Sequence, residues 1–592
     1  MRKKRTVFFI SVVAAFFFLF IARLAHIQLI SPENFSKRKI NLFEASVSQR
    51  TQELEIDNGR GGFVDRRGRP LMYEKMRVLV LFPFLKHFDW DPGKLAEIID
   101  EPPLAISGAV EKAEEPFVYG EPAPLLLTEE QMKQINDLGI PGVFAVEKKV
   151  PKAGYYAEHL IGITGENENL LKSRYPDKPL PVHTPVGLTG LQRSFDEFLI
   201  GEGAAKLIYH VDGLGRPLFG ANVKYVDPAN PFYPVNIKTT IDADYQELAE
   251  NLVDKHGIKK GGLLLLDIKT NAILATVSRP GINKADPYDS QGGGIKNMMI
   301  TQHIPGSVFK TVIAAAAIDY HLDDPSRLYD CSITIHGKPD PNYRHGMLSF
   351  SDSFARSCNN TFATLANELV NINEDIIEIY AKKLSLTGRN VWHGDIFHLK
   401  DFQQLPDEDL GRIYLDDGAK KDKNLTAMTA IGQHEVRVTP LAVANMMATI
   451  GRGDQKELVR AVFSVEYKNG PSVVAFDKKK HPEESISPYT AIKLQKLLRQ
   501  VVTNEKGTGR SLRHLPYEVA GKSGTAETGA FSPQGKPLHH KWFAGYFPFK
   551  NPKYVLVAVN LDVPEDAGSV IPLFADMVKE IYALDQKSRA SS

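Results

Sequence analysis

The run Gly262-Leu263-Leu264-Leu265-Leu266-Asp267, followed by the turn Lys269-Thr270-Asn271 and by Ala272-Ile273-Leu274-Ala275-Thr276-Val277-Ser278, decides the fold of this 592-residue chain. Its first half is short and apolar without interruption, the pattern of a strand buried on both faces. The second half repeats that pattern after a turn, so the pair predicts a hairpin inside a sheet. Towards the C-terminus, helical spacing is predicted over 307–319 and 353–369, and strands return at 541–547 and 554–561. Strands, then helices, then strands predict an α/β sandwich in which helices cover a mainly antiparallel sheet. Towards the N-terminus, Val235-Asn236-Ile237-Lys238-Thr239-Thr240-Ile241-Asp242 predicts a strand and 245–256 a helix, with a domain boundary nearby. Between 82 and 234 the patterns are short, mixed and rich in Pro and Gly, and only scattered helices such as 128–138 are predicted. Arg60-Gly61-Gly62-Phe63-Val64-Asp65-Arg66-Arg67-Gly68-Arg69 predicts a short strand between two turns.

A chain of this length exceeds what one core serves, so two or more domains are expected. The 43% hydrophobic and 24% charged residues are those of a globular protein, and the net charge of +1 gives no basic stripe for a nucleic-acid partner. The only cysteines, Cys331 and Cys358, exclude a disulfide framework, and Cys358 is expected to be a small buried hydrophobe. At the N-terminus, Arg2, Lys3, Lys4 and Arg5 precede an apolar run over 7–22 broken only by Ser11 and extended by 24–30. Basic residues ahead of such a run stay in the cytoplasm, so one tilted helix would anchor the chain and leave the rest outside. The bulky Ile21-Ala22-Arg23-Leu24 offers no small-x-small cleavage pattern, which favours an uncleaved anchor over a signal peptide.

The first candidate for chemistry is Ser307-Val308-Phe309-Lys310, entered by Pro305-Gly306 and followed by an Ala-rich helix. Positions i and i+3 share a helix face, so Lys310 can bring its amine beside the Ser307 hydroxyl, and burial favours the neutral amine that a base requires. Ser307 would also sit near a helix N-terminus that stabilises an oxyanion. The spacing alone is weak: Ser36-Lys37-Arg38-Lys39 shares it and reads as a charged surface stretch. The second candidate is Ser357-Cys358-Asn359, with a hydroxyl to relay protons and an amide to hold a peptide; a turn cluster would look the same. The third is Lys522-Ser523-Gly524-Thr525, where a strand would turn Lys522 into a cleft, Gly524 would admit substrate backbone and the Thr525 amide would be an oxyanion donor. A Gly-Thr turn beside an exposed lysine reads equally well in isolation.

Together, in this order, the three segments resemble the active-site motifs of penicillin-binding proteins and serine β-lactamases, with Cys358 in place of Asp and Ser523 in place of Thr. The resemblance to class B penicillin-binding proteins runs along nearly the whole chain. Arg60-Gly61 to Asp65-Arg66 with Gly68, and Gly187-Leu188-Thr189-Gly190-Leu191-Gln192 with Asp196, are similar to that family's pedestal motifs. Thr239 to Asp242, Asp267 with Lys269-Thr270, Gly432-Gln433 and Trp542-Phe543-Ala544-Gly545-Tyr546 are similar to segments of its transpeptidase domain. Asn271 departs from a usual glycine, and Met298-Met299 from a usual Arg-Ala.

The resemblance implies a penicillin-binding/serine β-lactamase-like α/β transpeptidase domain over 236–585, preceded by a cytoplasmic tail (1–6), a transmembrane anchor (7–30) and an elongated α+β pedestal (31–235), with a tail at 586–592. It implies D,D-transpeptidation of peptidoglycan stem peptides through a Ser307 acyl-enzyme that β-lactams also form. Lys310 would be the base, Ser357 the proton relay and Asn359 a substrate clamp. Lys522 would hold the terminal carboxylate, with Ser523, Gly524 and Thr525 beside it. The Ser307 and Thr525 amides would form the oxyanion hole. No cofactor is implied. No glycosyltransferase domain is expected before the pedestal, so the resemblance implies a polytopic membrane glycan polymerase as partner. A D,D-carboxypeptidase, a β-lactam-hydrolysing or sensing relative and an inactive wall-synthesis scaffold are the rivals. His539-His540 and His336 with His345 lack metal-ligand spacing, so no metal is predicted and these histidines are read as exposed or hydrogen-bonded. Trp542 is read as sheet core.

Overall fold

The computed structural model describes residues 2–590 except 37–39, 153, 155, 179, 202, 213–215, 217, 219–222, 227–231, 289–293, 342–343 and 454. The decoy at Ser36 therefore lies largely outside the described residues, since 37–39 are among those omitted. The N-terminal helix Arg2–Ala25 continues into a π turn, His26–Ile30. It is long and apolar enough to cross a membrane, and none of its apolar stretch is buried against protein.

The chain folds as two compact units that interleave in sequence. One comprises Met1–Arg60, Tyr73–Pro151 and Glu202–Pro231; the other comprises Gly61–Met72, Lys152–Gly201 and Phe232–Ser592. In the first, the strand Tyr73–Leu81 is flanked by Phe117–Val118 and Val143–Pro151. Its alternate side chains enter two cores, Leu79 and Leu81 with Leu95 and Ile106, Val78 and Val80 with Phe82 and Tyr209. The helix expected at 128–138 is Glu129–Asp137, with Thr128 and Gln131 forming a capping box.

In the second unit five antiparallel strands form the main sheet: β1 (Gly261–Asp267), β2 (Ala272–Arg279), β3 (Ala520–Phe531), β4 (Pro537–Phe547) and β5 (Tyr554–Pro564), in the order β2-β1-β5-β4-β3. The predicted hairpin is β1–β2, and its turn holds Asn271 at φ 48°. Asparagine is one of the few residues other than glycine that enters this left-handed region at modest cost, which reconciles it with a place usually held by glycine. β1 buries alternate residues on opposite faces. Leu264 and Leu266 join the core around the helices Lys310–Asp319 and Pro440–Arg452, while Leu263 and Leu265 pack with Ala249 and Val253 of Ala243–Lys255 and Phe574 of Ile571–Ala590.

The strand Gly62–Val64 pairs in parallel with Asn236–Thr239. Asp65, fully buried, closes the turn after it by accepting from the Arg67 and Arg69 amides at 2.8 and 2.9 Å and from Arg69 Nε at 2.8 Å. Asp196 does the same for its segment, accepting from the Gly187 amide, Tyr175 Oη and Arg174 Nη1 at 2.8–3.0 Å. Both acidic residues of the pedestal-like motifs are thus turn organisers.

Two expectations need correction. The helix predicted over 353–369 is two helices, Phe350–Arg356 and Asn359–Ile372, because Ser357 takes φ 63° and ends the first. Cys358 is no free buried hydrophobe: it is joined to Cys331 in a disulfide spanning 27 positions. Two cysteines give too few spacings to announce a pair, and tertiary contact alone brings them together. Closing a loop of this length restricts the unfolded chain by roughly 3–4 kcal/mol in the chain-entropy account. A Cys331→Ala/Cys358→Ala double variant is therefore expected to melt several degrees lower than the wild type, checked by thermal denaturation under non-reducing conditions.

Candidate active site

Ser307 lies in a 3-10 turn, Gly306–Phe309, that runs into the helix Lys310–Asp319. In a 3-10 turn positions i and i+3 eclipse, so Ser307 and Lys310 share one face. Ser357 and Asn359 come from the break between two helices, and Ser523 and Thr525 from β3. Ser307, Ser357, Asn359, Ser523 and Thr525 all line one cleft of about 280 Å³. Lys310 and Lys522, both fully buried, lie behind this lining and reach it through hydrogen bonds to Ser357 and Asn359.

The Lys310 amine donates to Ser357 O at 2.7 Å, Asn359 Oδ1 at 2.7 Å and Ser357 Oγ at 3.2 Å. These bonds draw it towards the second motif, and no hydrogen bond to Ser307 Oγ accompanies them among the described residues. Lys522 Nζ donates to the same Ser357 Oγ at 3.0 Å and to Ser523 O at 3.1 Å. One hydroxyl therefore bridges two buried amines, neither of which has a carboxylate partner in these contacts. Burial pushes Lys522 down to about 7. Lys310 lies well below the ordinary lysine range, chiefly through burial and secondly through the charge of Lys522. Ser523 Oγ donates to Thr508 Oγ1 at 2.8 Å, a partner that no sequence motif marks.

Backbone contacts hold these segments together. A Cβ on Gly524 would lie 2.5 Å from Pro305 O, and one on Gly306 2.3 Å from Thr525 O. Gly524 is thus needed where β3 meets the nucleophile turn, a reason additional to the substrate approach expected of it. Gly306 N donates to Gly432 O at 3.0 Å, and Trp542, buried in the sheet core, donates from Nε1 to Ile304 O at 3.0 Å. The cleft extends past the three motifs to Arg356, His345, Glu527, His539 and Glu565. Period-two alternation from Ser523 through Thr525 foretells Glu527; the cross-strand His539 has no such signal. His539 also departs from expectation, being 6% exposed with an unpartnered Nδ1.

The model of the penicillin binding protein transpeptidase domain matches residues 261–579, more than half the chain. The stage V sporulation protein D of Bacillus subtilis is 24% identical over 588 residues, covering 95% of this chain and 82% of that protein. The peptidoglycan D,D-transpeptidase PbpA of Mycobacterium tuberculosis is 26% identical over 385 residues, covering 60% and 72%. A solved chain described as "Structural coordination of polymerization and crosslinking by a peptidoglycan synthase complex" superposes with a TM-score of 0.62 at 21% identity, over 96% of this chain and 97% of that one. The likeness to that structure bears on fold, and the domain match, with the convergence of all three motif segments on one cleft, places the chain in a family: it belongs to the penicillin-binding protein transpeptidases, of the class B kind.

Proposed function

We propose that the chain is a serine-type peptidoglycan D,D-transpeptidase, acylated by β-lactams at the same serine. The observation that carries this reading is the fully buried Lys310 amine, bound to both outer residues of the second motif and one turn from Ser307. Neutral Lys310 takes the proton as Ser307 Oγ attacks the carbonyl between the two terminal D-alanines of a stem peptide. The C–N bond breaks, and the proton passes through Ser357 Oγ to the leaving amine. An amine of a neighbouring stem then attacks the ester, and Ser307 recovers its proton. Asn359 clamps the donor peptide, and the Ser307 and Thr525 amides receive the oxyanion. Lys522, with Ser523 and Thr525, holds the donor carboxylate, and Gly524 keeps β3 against the nucleophile turn.

The domain assignment goes with this reading: transpeptidase 236–585, pedestal 31–235 and an anchor over 7–30 that leaves the catalytic part outside the cytoplasmic membrane. The apolar, unburied N-terminal helix supports the anchor. A polytopic glycan polymerase is the proposed partner, in keeping with the synthase complex that the superposed chain comes from.

Mass spectrometry of protein treated with a fluorescent penicillin is expected to find one adduct on the peptide carrying Ser307, absent in Ser307→Ala. An adduct elsewhere reassigns the nucleophile, and no adduct at all returns the chain to the inactive-scaffold reading. A long-lived adduct separates the transpeptidase from a β-lactamase, and products formed with an added amine acceptor separate it from a carboxypeptidase.

A further inference from the structure

Between the second and third motifs runs a turn that carries no motif of its own. Residues 504–509 follow the helix Pro488–Thr503 and lead into the 3-10 turn Arg510–Leu512. Thr508, exposed on this turn, lines the cleft with Ser357, Ser523 and Thr525. Its backbone amide donates to Ala355 O at 3.1 Å, in the helix Phe350–Arg356 that ends at Ser357. Its Oγ1 accepts from Ser523 Oγ of β3 at 2.8 Å. One residue is thereby bonded both to the helix that sets the second motif and to the strand that carries the third.

The turn is held on both sides of Thr508. The Gly507 and Gly509 amides donate to Asn504 O at 2.9 Å and to Val501 O at 3.0 Å, and Asn504 Nδ2 donates to Asp352 Oδ1 at 3.0 Å. A Cβ on Gly507 would stand 2.3 Å from Val501 O, so the turn lies directly against the end of its own helix. Thr508 is fixed by its backbone, and its hydroxyl is free to rotate.

The contact between Ser523 and Thr508 joins two hydroxyls, each able to donate once and accept twice. While Ser523 donates to Thr508, it offers an approaching carboxylate only lone pairs, which is the wrong polarity. Rotating the two hydroxyl hydrogens reverses the bond without moving a heavy atom: Thr508 donates to Ser523, and Ser523 donates to the carboxylate. A hydroxyl that already accepts a hydrogen bond is polarised into a stronger donor. Neither hydroxyl makes another hydrogen bond among the described residues, so no competing partner opposes the reversal.

We propose that Thr508 is a positioning residue for the donor peptide's terminal carboxylate, acting through Ser523, whose hydroxyl it orients and polarises. The inference rests on the transpeptidase reading, in which Ser523 stands beside that carboxylate, and it adds a residue from outside the three motifs. It also ties the carboxylate's placement to the helix that presents Ser357, because the same residue is bonded to both.

The test compares, on the full chain, the second-order labelling rates of a fluorescent penicillin and of its carboxylate methyl ester. Thr508→Val keeps the size of the side chain and removes the hydroxyl. It is expected to label about five- to ten-fold more slowly with the free acid, the worth of one hydrogen bond, and to keep the wild-type rate with the ester. Thr508→Ser, which restores a hydroxyl, is expected to recover the free-acid rate to within about two-fold, a margin smaller than one hydrogen bond. In a Ser523→Ala background, adding Thr508→Val should cost nothing further, because the residue through which Thr508 acts is already gone. Equal slowing of acid and ester marks a residue that only shapes the turn and overturns the proposal, as does an undiminished loss in the Ser523→Ala background or unaltered labelling by Thr508→Val. Should Thr508→Val not fold, Thr508→Ala is measured in the same way and judged by the same outcomes. A wild-type protein that forms no penicillin adduct overturns the transpeptidase reading itself, a result distinct from normal wild-type labelling with variants that treat acid and ester alike.

Discussion

Lys310→Met is expected to lose roughly 10²–10⁴-fold in the rate of penicillin acylation, the range for removing a positioned general base, and yet to unfold later than the wild type. The two effects have one cause. The amine is fully buried, and its partners are a backbone carbonyl, a hydroxyl and an amide oxygen, with a second lysine near enough to oppose its charge. Burying an ammonium without a carboxylate costs several kcal/mol, whereas Ser357 and Asn359 line the cleft, where water can replace the lost donor. The charge penalty outweighs the lost hydrogen bonds, so methionine gains on the order of 1–3 kcal/mol.

The sign with pH follows. The unfolded chain keeps a lysine proton up to about pH 10.4, while the folded protein releases those of Lys310 and Lys522 earlier, Lys522 at about 7. From the folded value up to that of the free side chain the unfolded state binds more protons, so wild-type stability contributed by these groups rises with pH through that window. Acylation rises with pH as well, since only neutral Lys310 accepts the Ser307 proton. Thermal melts of both proteins at pH 7 and pH 10 should therefore converge as pH rises. A Lys310→Met protein that melts below the wild type at pH 7 would contradict the account.

How far the sequence spoke depends on the kind of signal. The hairpin at 262–278 was legible because a strand buried on both faces has nowhere to place a polar residue, and the structure buries Leu263 to Leu266 accordingly. The three short motifs were legible as an ordered set, and the structure brings all of them to one cleft. The break at Ser357 was not, because helical apolar spacing continues on both sides of it, and a left-handed serine leaves no trace in composition. The interleaving of the two units was hidden for a similar reason. Gly61–Met72 and Lys152–Gly201 fold with a unit whose remainder begins at Phe232, and pairing such as that of Gly62–Val64 with Asn236–Thr239 is a long-range fact that no local pattern encodes. The Cys331–Cys358 bond belongs to the same class.

Gly432→Ala is expected to lower both stability and acylation, because Gly432 and Gly306 meet backbone to backbone directly under the nucleophile. Gly432 takes φ 72°, where a side chain costs about 1–2 kcal/mol. Its added Cβ would stand 2.0 Å from Gly306 O and 2.8 Å from Phe309 Cβ. No rotamer change relieves contact with a carbonyl oxygen, so the turn carrying Ser307 must withdraw by about 1 Å, a displacement that can lower a rate by roughly 10²-fold. Withdrawal is resisted on the far side, since Gly306 already lies against Thr525 O and Pro305 O against Gly524. Moving the turn therefore disturbs the strand that supplies the second oxyanion donor in the proposed mechanism. Strain and contact together predict a loss of about 2–4 kcal/mol. Gly453→Ala separates the two contributions, because Gly453 has φ 108° but nothing within 4 Å of an added Cβ. It should lose about 1–2 kcal/mol from backbone strain alone and acylate at the wild-type rate. Melting temperature and the second-order rate of penicillin labelling, measured on both variants, decide the matter: a Gly432→Ala protein that labels as fast as Gly453→Ala would show that this contact does not set the position of Ser307.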